Sequence, residues 1–143
     1  MSDADEQSWE ESLIADMREH EGRPTSGPLA GHPLLLMRDR GAKTGEPRQA
    51  VLTYSRDGED YIVAGTAGGS PRTPAWVANL RVNPDLTLEI GHRSFPARAT
   101  VVGDEAERQR LWAAHVVALP WFADYPDKAQ RAIPMIRLTP TAS

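Results

Sequence analysis

From Pro33 onward, apolar residues recur with a period of two in short runs, each cut off by glycine, proline, asparagine or aspartate. This pattern restricts the fold most, because alternate side chains of a strand face opposite sides of a sheet. LTLEI puts Leu86, Leu88 and Ile90 on one side, and FPARATVV does the same for Phe95, Ala97, Ala99 and Val101. PLLLMR and RQAVLTYSR flank a basic turn, DGED gives a hairpin signal before YIVAGT, and MIRL closes the series. About six short strands joined by hairpin-like turns suit a small, mostly antiparallel barrel.

Helical spacing interrupts the strands at three places. Trp9, Leu13 and Met17 recur every four residues with Ile14 beside them, which predicts a helix over 7–20 ended by Gly22 and Pro24. EGRPTSGPLAGHP follows as a connector without periodicity. TPAWVANLRVNP predicts a short helix with Thr73 as cap and Pro74 at its first position, stopped by Asn83 and Pro84. Asp104 followed by Glu107 resembles a capping box ahead of the stripe Leu111, Trp112, His115, Val116 and Leu119. PWFADYPDKAQRAIP reads as a loop or short helix. The chain thus divides into an acidic N-terminal helix and linker, 1–24, and a barrel domain, 25–143.

Charge narrows the choice of ligand. The net charge is −4, yet residues 1–21 hold eight acidic residues and one arginine, so the rest of the chain carries +3. That excess is too thin for duplex DNA, which demands a dense basic stripe, but it suits a small anion. An acidic leading helix is repelled by anionic lipid, so no firm membrane anchor is expected, at most peripheral association. The opening MSDADEQSWEES has neither the basic start nor the apolar core of a secretion signal, and a cytoplasmic location is expected. The chain has no cysteine, which removes disulfides and thiolate chemistry, and His20, His32 and His92 lack metal-ligand spacing. His115, in an apolar stripe, reads as structural.

Two stretches stand apart from this scaffold. RGAKTGEPR, residues 40–48, packs three cations and two glycines into a turn between strands. Free N–H groups, a hydroxyl and the cations Lys43 and Arg48 make a phosphate site there; a solvated hairpin turn is the plain alternative. It is not a Walker A loop, since Ala42 precedes Lys43. AGTAGGSPRTPAW, residues 64–76, runs small residues into a Pro-started helix. Its backbone can approach a flat ring or an oxyanion; a flexible connector is the alternative. Without G-x-G-x-x-G it is no Rossmann site.

Taken together, GHPLLLMRDRGAKTGEPRQAVLTY, VAGTAGGSPRTPAWVANLRVNP and RAIPMIRL closely resemble the deazaflavin-dependent nitroreductase family, from about Ile14 to Thr139. The signature is Gly-x-Lys-Ser/Thr-Gly, then Gly-Gly, then Pro-x-Trp-x-x-Asn-Leu, then Arg-x-Ile-Pro. The resemblance implies a split β-barrel of the FMN-binding-like type, mainly β with flanking helices (α+β). It also implies an oxidoreductase that uses coenzyme F420, an 8-hydroxy-5-deazaflavin. Its phosphate would sit on the turn holding Lys43, Thr44, Gly45 and Arg48. Its ring would lie along Ala64, Gly65, Thr66, Ala67, Gly68 and Gly69, and against Pro74, Ala75, Trp76 and Asn79. Trp76 also reads as a core anchor. Ala42 stands where the family commonly has arginine.

The resemblance further implies that LPWFADYP walls the substrate side, through Trp121, Phe122 and Tyr125. Relatives are rich in tyrosine there; Tyr125 matches one such position, while Leu119 and Phe122 replace others. Tyr125 is the candidate catalytic proton donor. The expected acceptor is a quinone, a nitroaromatic or an activated enone or lactone. An FMN-dependent reductase and a non-catalytic F420 carrier are the alternative readings, and exposed barrel edges suit a homodimer.

Overall fold

One residue, Tyr54, joins the two edges of the sheet. The computed structural model describes residues 11, 12, 14–16, 18, 19 and 33–141 of the 143-residue chain. Its strands are β1 (Leu34–Arg40), β2 (Pro47–Thr53), β3 (Ser55–Asp57), β4 (Asp60–Ala64), β5 (Asp85–Ile90), β6 (Arg93–Val101) and β7 (Met135–Pro140). They form one antiparallel sheet in the order β2-β1-β5-β6-β7-β4-β3. Strands β2 and β3 lie at opposite ends of that order, yet Tyr54 alone separates them. A residue spans at most about 3.6 Å, so the edges must meet and the sheet must curl into a cylinder. No ladder joins them, which makes the barrel split.

Among the described residues the strands number seven where the sequence suggested about six, because RQAVLTYSR is two strands. Alternation continues through Tyr54, so the pattern carries no mark of the break. The ring of Tyr54 packs edge-on against Tyr61, with centroids 5.3 Å apart.

Helix α1 (Ala75–Val82) closes the barrel interior. Its Val77 and Leu80 join Leu35, Met37, Val63, Leu86, Leu88, Ala97, Ala99, Ile136 and Leu138 in one core, as the alternating pattern requires. Pro74 rather than Thr73 is its N-cap, with φ −60° and ψ 145°, and no side chain caps the helix. Proline lacks the N–H that would otherwise need a partner. Gly65 permits the helix to approach, since a Cβ there would lie 3.0 Å from Val77 Cγ2 and 3.3 Å from Pro134 Cγ.

Helix α2 (Glu105–Ala118), a 3-10 segment (Pro120–Asp124) and α3 (Tyr125–Ala129) cover the outer face. There Ile62, Ala64 and Met135, pointing away from the barrel, meet Leu111, Leu119, Phe122, Ala129 and Ile133 in a second core. Asp104 caps α2 by accepting from the Glu107 N–H at 2.9 Å. The Glu107 side chain does not reach back; it pairs with Arg110 and with Arg137 of β7, pinning α2 to the sheet.

Of the acidic leader, the described residues 11, 12, 14–16, 18 and 19 are helical. Ile14 is buried and Arg18 pairs with Glu89 of β5, so this helix rests on the sheet. Trp9, Leu13, Met17, Gly22 and Pro24, like His20 and His32, lie outside the described residues. Among the described residues no helix is long and apolar enough to cross a membrane, and no cluster could hold a metal ion.

Candidate functional site

The basic turn is held in place by Asn79 of α1 and by Asn83, the residue that caps the end of α1. Inside the turn, the Gly41 N–H donates to Glu46 O and the Gly45 N–H to Gly41 O, both at 2.9 Å, with Gly45 at φ 71°. The Ala42 N–H donates to Asn79 Oδ1 at 2.9 Å, and Asn83 Nδ2 donates to Gly41 O at 3.4 Å. Residues four apart share a helix face, so the pair staples two successive residues of the turn. Lys43, Thr44 and Arg48 stay exposed. The Thr44 hydroxyl accepts from the Glu46 N–H at 3.2 Å, which leaves its own O–H to donate outward.

Between the turn and α1 lies a cleft of about 550 Å³. Lys43, Thr44, Arg48, Ala75, Trp76 and Asn79 all line it, with Asp39 in its wall. Trp76 is half-buried: it packs on the inner core, as an anchor would, and also lines the cleft. Ala64 to Gly69, Trp121, Phe122 and Tyr125 do not line this cleft. They meet elsewhere: the turn Ala67–Gly69 packs on α3, where a Cβ on Gly69 would lie 3.2 Å from Tyr125 Cδ1.

Arg131 shapes this small-residue ledge. Its guanidinium donates to the carbonyls of Thr66, Ser70 and Arg72, each at 3.2 Å. A peptide unit's C=O and N–H point in opposite directions, so drawing the Thr66 carbonyl to Arg131 turns the Ala67 N–H away from it. Ala67 takes φ 47°, a left-handed conformation that costs a non-glycine residue roughly 1 kcal/mol. Asn83 was read only as a helix stop and Arg131 only as the first residue of the Arg-x-Ile-Pro signature, neither with a role in the site. The i, i+4 spacing of Asn79 and Asn83 was a usable signal for the first, whereas nothing in composition points to the second.

The aromatic segment divides by exposure. Trp121 is 38% exposed, Tyr125 is half-buried, and Phe122 is in the second core. Phe122 meets His115 edge-on at 4.8 Å and Tyr125 at 5.1 Å. His115 is wholly buried, with Nδ1 at 2.7 Å from Ser55 Oγ and, among the described residues, no partner at Nε2. Burial pushes its pKa down to about 4, so the ring is neutral at pH 7, in keeping with a structural role.

The family model described as F420H(2)-dependent quinone reductase matches residues 10–140. An F420H(2)-dependent quinone reductase of Mycobacterium tuberculosis is 36% identical over 125 residues, covering 82% of this chain and 83% of that protein. A solved F420-H2 dependent reductase is 31% identical, covers 74% of this chain and 93% of its own, and superposes with a TM-score of 0.66. A second solved structure, a domain-swapped dimer, is 26% identical with a TM-score of 0.68, covering 96% of this chain and 99% of its own. With the barrel, the stapled basic turn and the Trp76 cleft on one side and these matches on the other, the chain belongs to the F420H(2)-dependent quinone reductase family, oxidoreductases that use coenzyme F420.

Proposed function

We infer that this chain passes reducing equivalents from F420H2 to a quinone, with nitroaromatics and α,β-unsaturated carbonyls or lactones as further acceptors. The observation that carries this reading is the cleft, where exposed Lys43, Thr44 and Arg48 meet Trp76 in about 550 Å³. A group with a phosphate tail and a flat ring fits that combination of charge and aromatic surface. When bound, the deazaflavin supplies a hydride from carbon 5.

The chain's own part is to bind, orient and exclude water. Lys43 and Arg48 hold the phosphate, with the Thr44 hydroxyl and the backbone at Gly45 beside them. Asn79 acts from behind, by fixing Ala42. The ring rests on the backbone from Ala64 through Gly65, Thr66, Ala67 and Gly68 to Gly69, and against Pro74, Ala75 and Trp76. Trp121 and Tyr125 wall the acceptor side, with Phe122 beneath them. The Tyr125 hydroxyl delivers the proton that follows the hydride.

Absorbance titration with oxidised F420 and with FMN tests the cofactor, and preference for FMN would overturn the reading. Lys43→Ala should weaken F420 binding by about 1–3 kcal/mol, the scale of a charge-assisted hydrogen bond. Unchanged affinity would reduce the turn to a solvated surface. Tyr125→Phe should lower turnover while leaving F420 affinity in place; equal turnover removes Tyr125 from the chemistry. Tight F420 binding with no oxidation of the reduced form by any quinone or enone would mark a carrier. A homodimer belongs to the same reading and is checked by sedimentation.

A further inference from the structure

A buried carboxylate stands in the wall of the cationic cleft. Alternation along β1 turns Arg38 and Arg40 outward and Asp39 inward, where it is 5% exposed. Neither carboxylate oxygen touches solvent or has a hydrogen-bond partner among the described residues. A group so placed is expensive to keep charged.

The groups facing it do not remove that expense. From β2, Arg48 stands directly opposite in register, but its guanidinium turns to Pro47 O at 3.4 Å and Glu46 at 3.5 Å. From α1, Asn79 spends its oxygen on the Ala42 N–H. Arg48 and the Asn79 amide both favour the charged form, yet neither meets the carboxylate in hydrogen-bond geometry, and burial outweighs them. Lys43 of the turn is exposed across the cleft. On the other side of β1, Asp85 of β5 shares a second cleft with Asp39 and is paired with Arg98 at 3.0 Å. Burial therefore raises the Asp39 pKa from its ordinary value.

We propose that Asp39 takes up one proton when an anion occupies the cleft beside Lys43 and Arg48, so that anion binding and protonation of this carboxylate are linked. Its oxygens are closed off, so Asp39 acts on the ligand through its field and not by contact. An anion brings a second negative charge close to one that neither water nor a donor screens. A proton from solvent onto a carboxylate oxygen relieves the repulsion. The sign follows: the loaded protein holds more protons, so affinity falls as pH rises between the Asp39 pKa of the free protein and that of the complex. That the natural anion is the phosphate of F420 rests on the function proposed above; the linkage itself does not.

The test uses the full chain and sulfate, whose charge is constant above acid pH. Carbon-13 carboxyl NMR follows the titration of Asp39 with and without saturating sulfate. The expected result is a titration moved to higher pH by sulfate, and a sulfate affinity that declines with pH in the native protein. Asp39→Asn, isosteric and neutral, should abolish that decline and bind sulfate on the order of tenfold more tightly at about pH 8. Absence of sulfate binding at about pH 5, an Asp39 titration that sulfate leaves unmoved, or an Asp39→Asn protein with the same decline would overturn the proposal. Calorimetry with F420 in two buffers of different ionisation enthalpy then separates the two readings. Proton uptake with F420 that Asp39→Asn loses joins them, whereas linkage with sulfate in a protein that ignores F420 retains the proposal and sinks the cofactor.

Discussion

Taking the protein from pH 7 to about pH 4 should remove roughly 3 kcal/mol of stability through His115 alone, each unit of pKa shift being worth about 1.4 kcal/mol. The ring is wholly buried, and burial lowers its pKa from 6.5 to about 4. A depressed histidine pKa means that the unfolded chain binds the extra proton first. The contribution is complete above the unfolded value of 6.5 and is lost as pH falls through that value towards 4. Urea denaturation at a series of pH values measures it. His115→Phe should cost stability at pH 7, because Ser55 loses its partner, but should flatten this part of the profile. Asp57 overlaps this window little: hydrogen bonds from Arg110 and Arg137 hold its carboxyl down to about 2, so its contribution is lost as pH falls from the unfolded value of 3.8 towards 2. A native profile already flat between neutrality and pH 4.5 would exclude His115 as the acid-sensitive group.

Arg131→Met should cost about 3 kcal/mol and loosen the cofactor ledge with it. Three hydrogen bonds from a charged donor end at once, at about 1.5–3 kcal/mol each before water compensates the freed carbonyls. Methionine replaces the aliphatic stem of the arginine, so the loss reports the guanidinium fork more than the packing of the stem. Without the fork, the peptide after Thr66 keeps only the Gly69 N–H on its carbonyl and the one after Arg72 loses the guanidinium, and F420 affinity should fall together with the denaturation midpoint. Arg131→Lys should restore only part of each, since an ammonium cannot span three carbonyls as a planar guanidinium does. An unchanged midpoint in Arg131→Met would mean the ledge is held by its own turns.

Local chemistry was plain in the sequence. Period-two runs placed Leu86 with Leu88 and Ala97 with Ala99 inside the barrel, Asp104 caps α2, and DGED makes the hairpin with Gly58 at φ 62°. The division at Tyr54 left no trace, because a strand that changes partners keeps its alternation. Asn79, read as a cofactor contact, spends its oxygen on Ala42 of the turn, a bond across 37 residues. Arg131 acts on main-chain carbonyls 59 to 65 residues away, and a carbonyl has no side-chain identity to read. Asp39, one residue ahead of the basic turn, was not singled out in the sequence; its burial is set by elements from other parts of the chain.

The step at Tyr54 gives the cylinder an adjustable girth. Lengthening or shortening the link there would change the circumference while every described hydrogen-bonded strand pair stays in register, as the seam contains none to break. A descendant of this chain could widen its bore by insertion at that point alone.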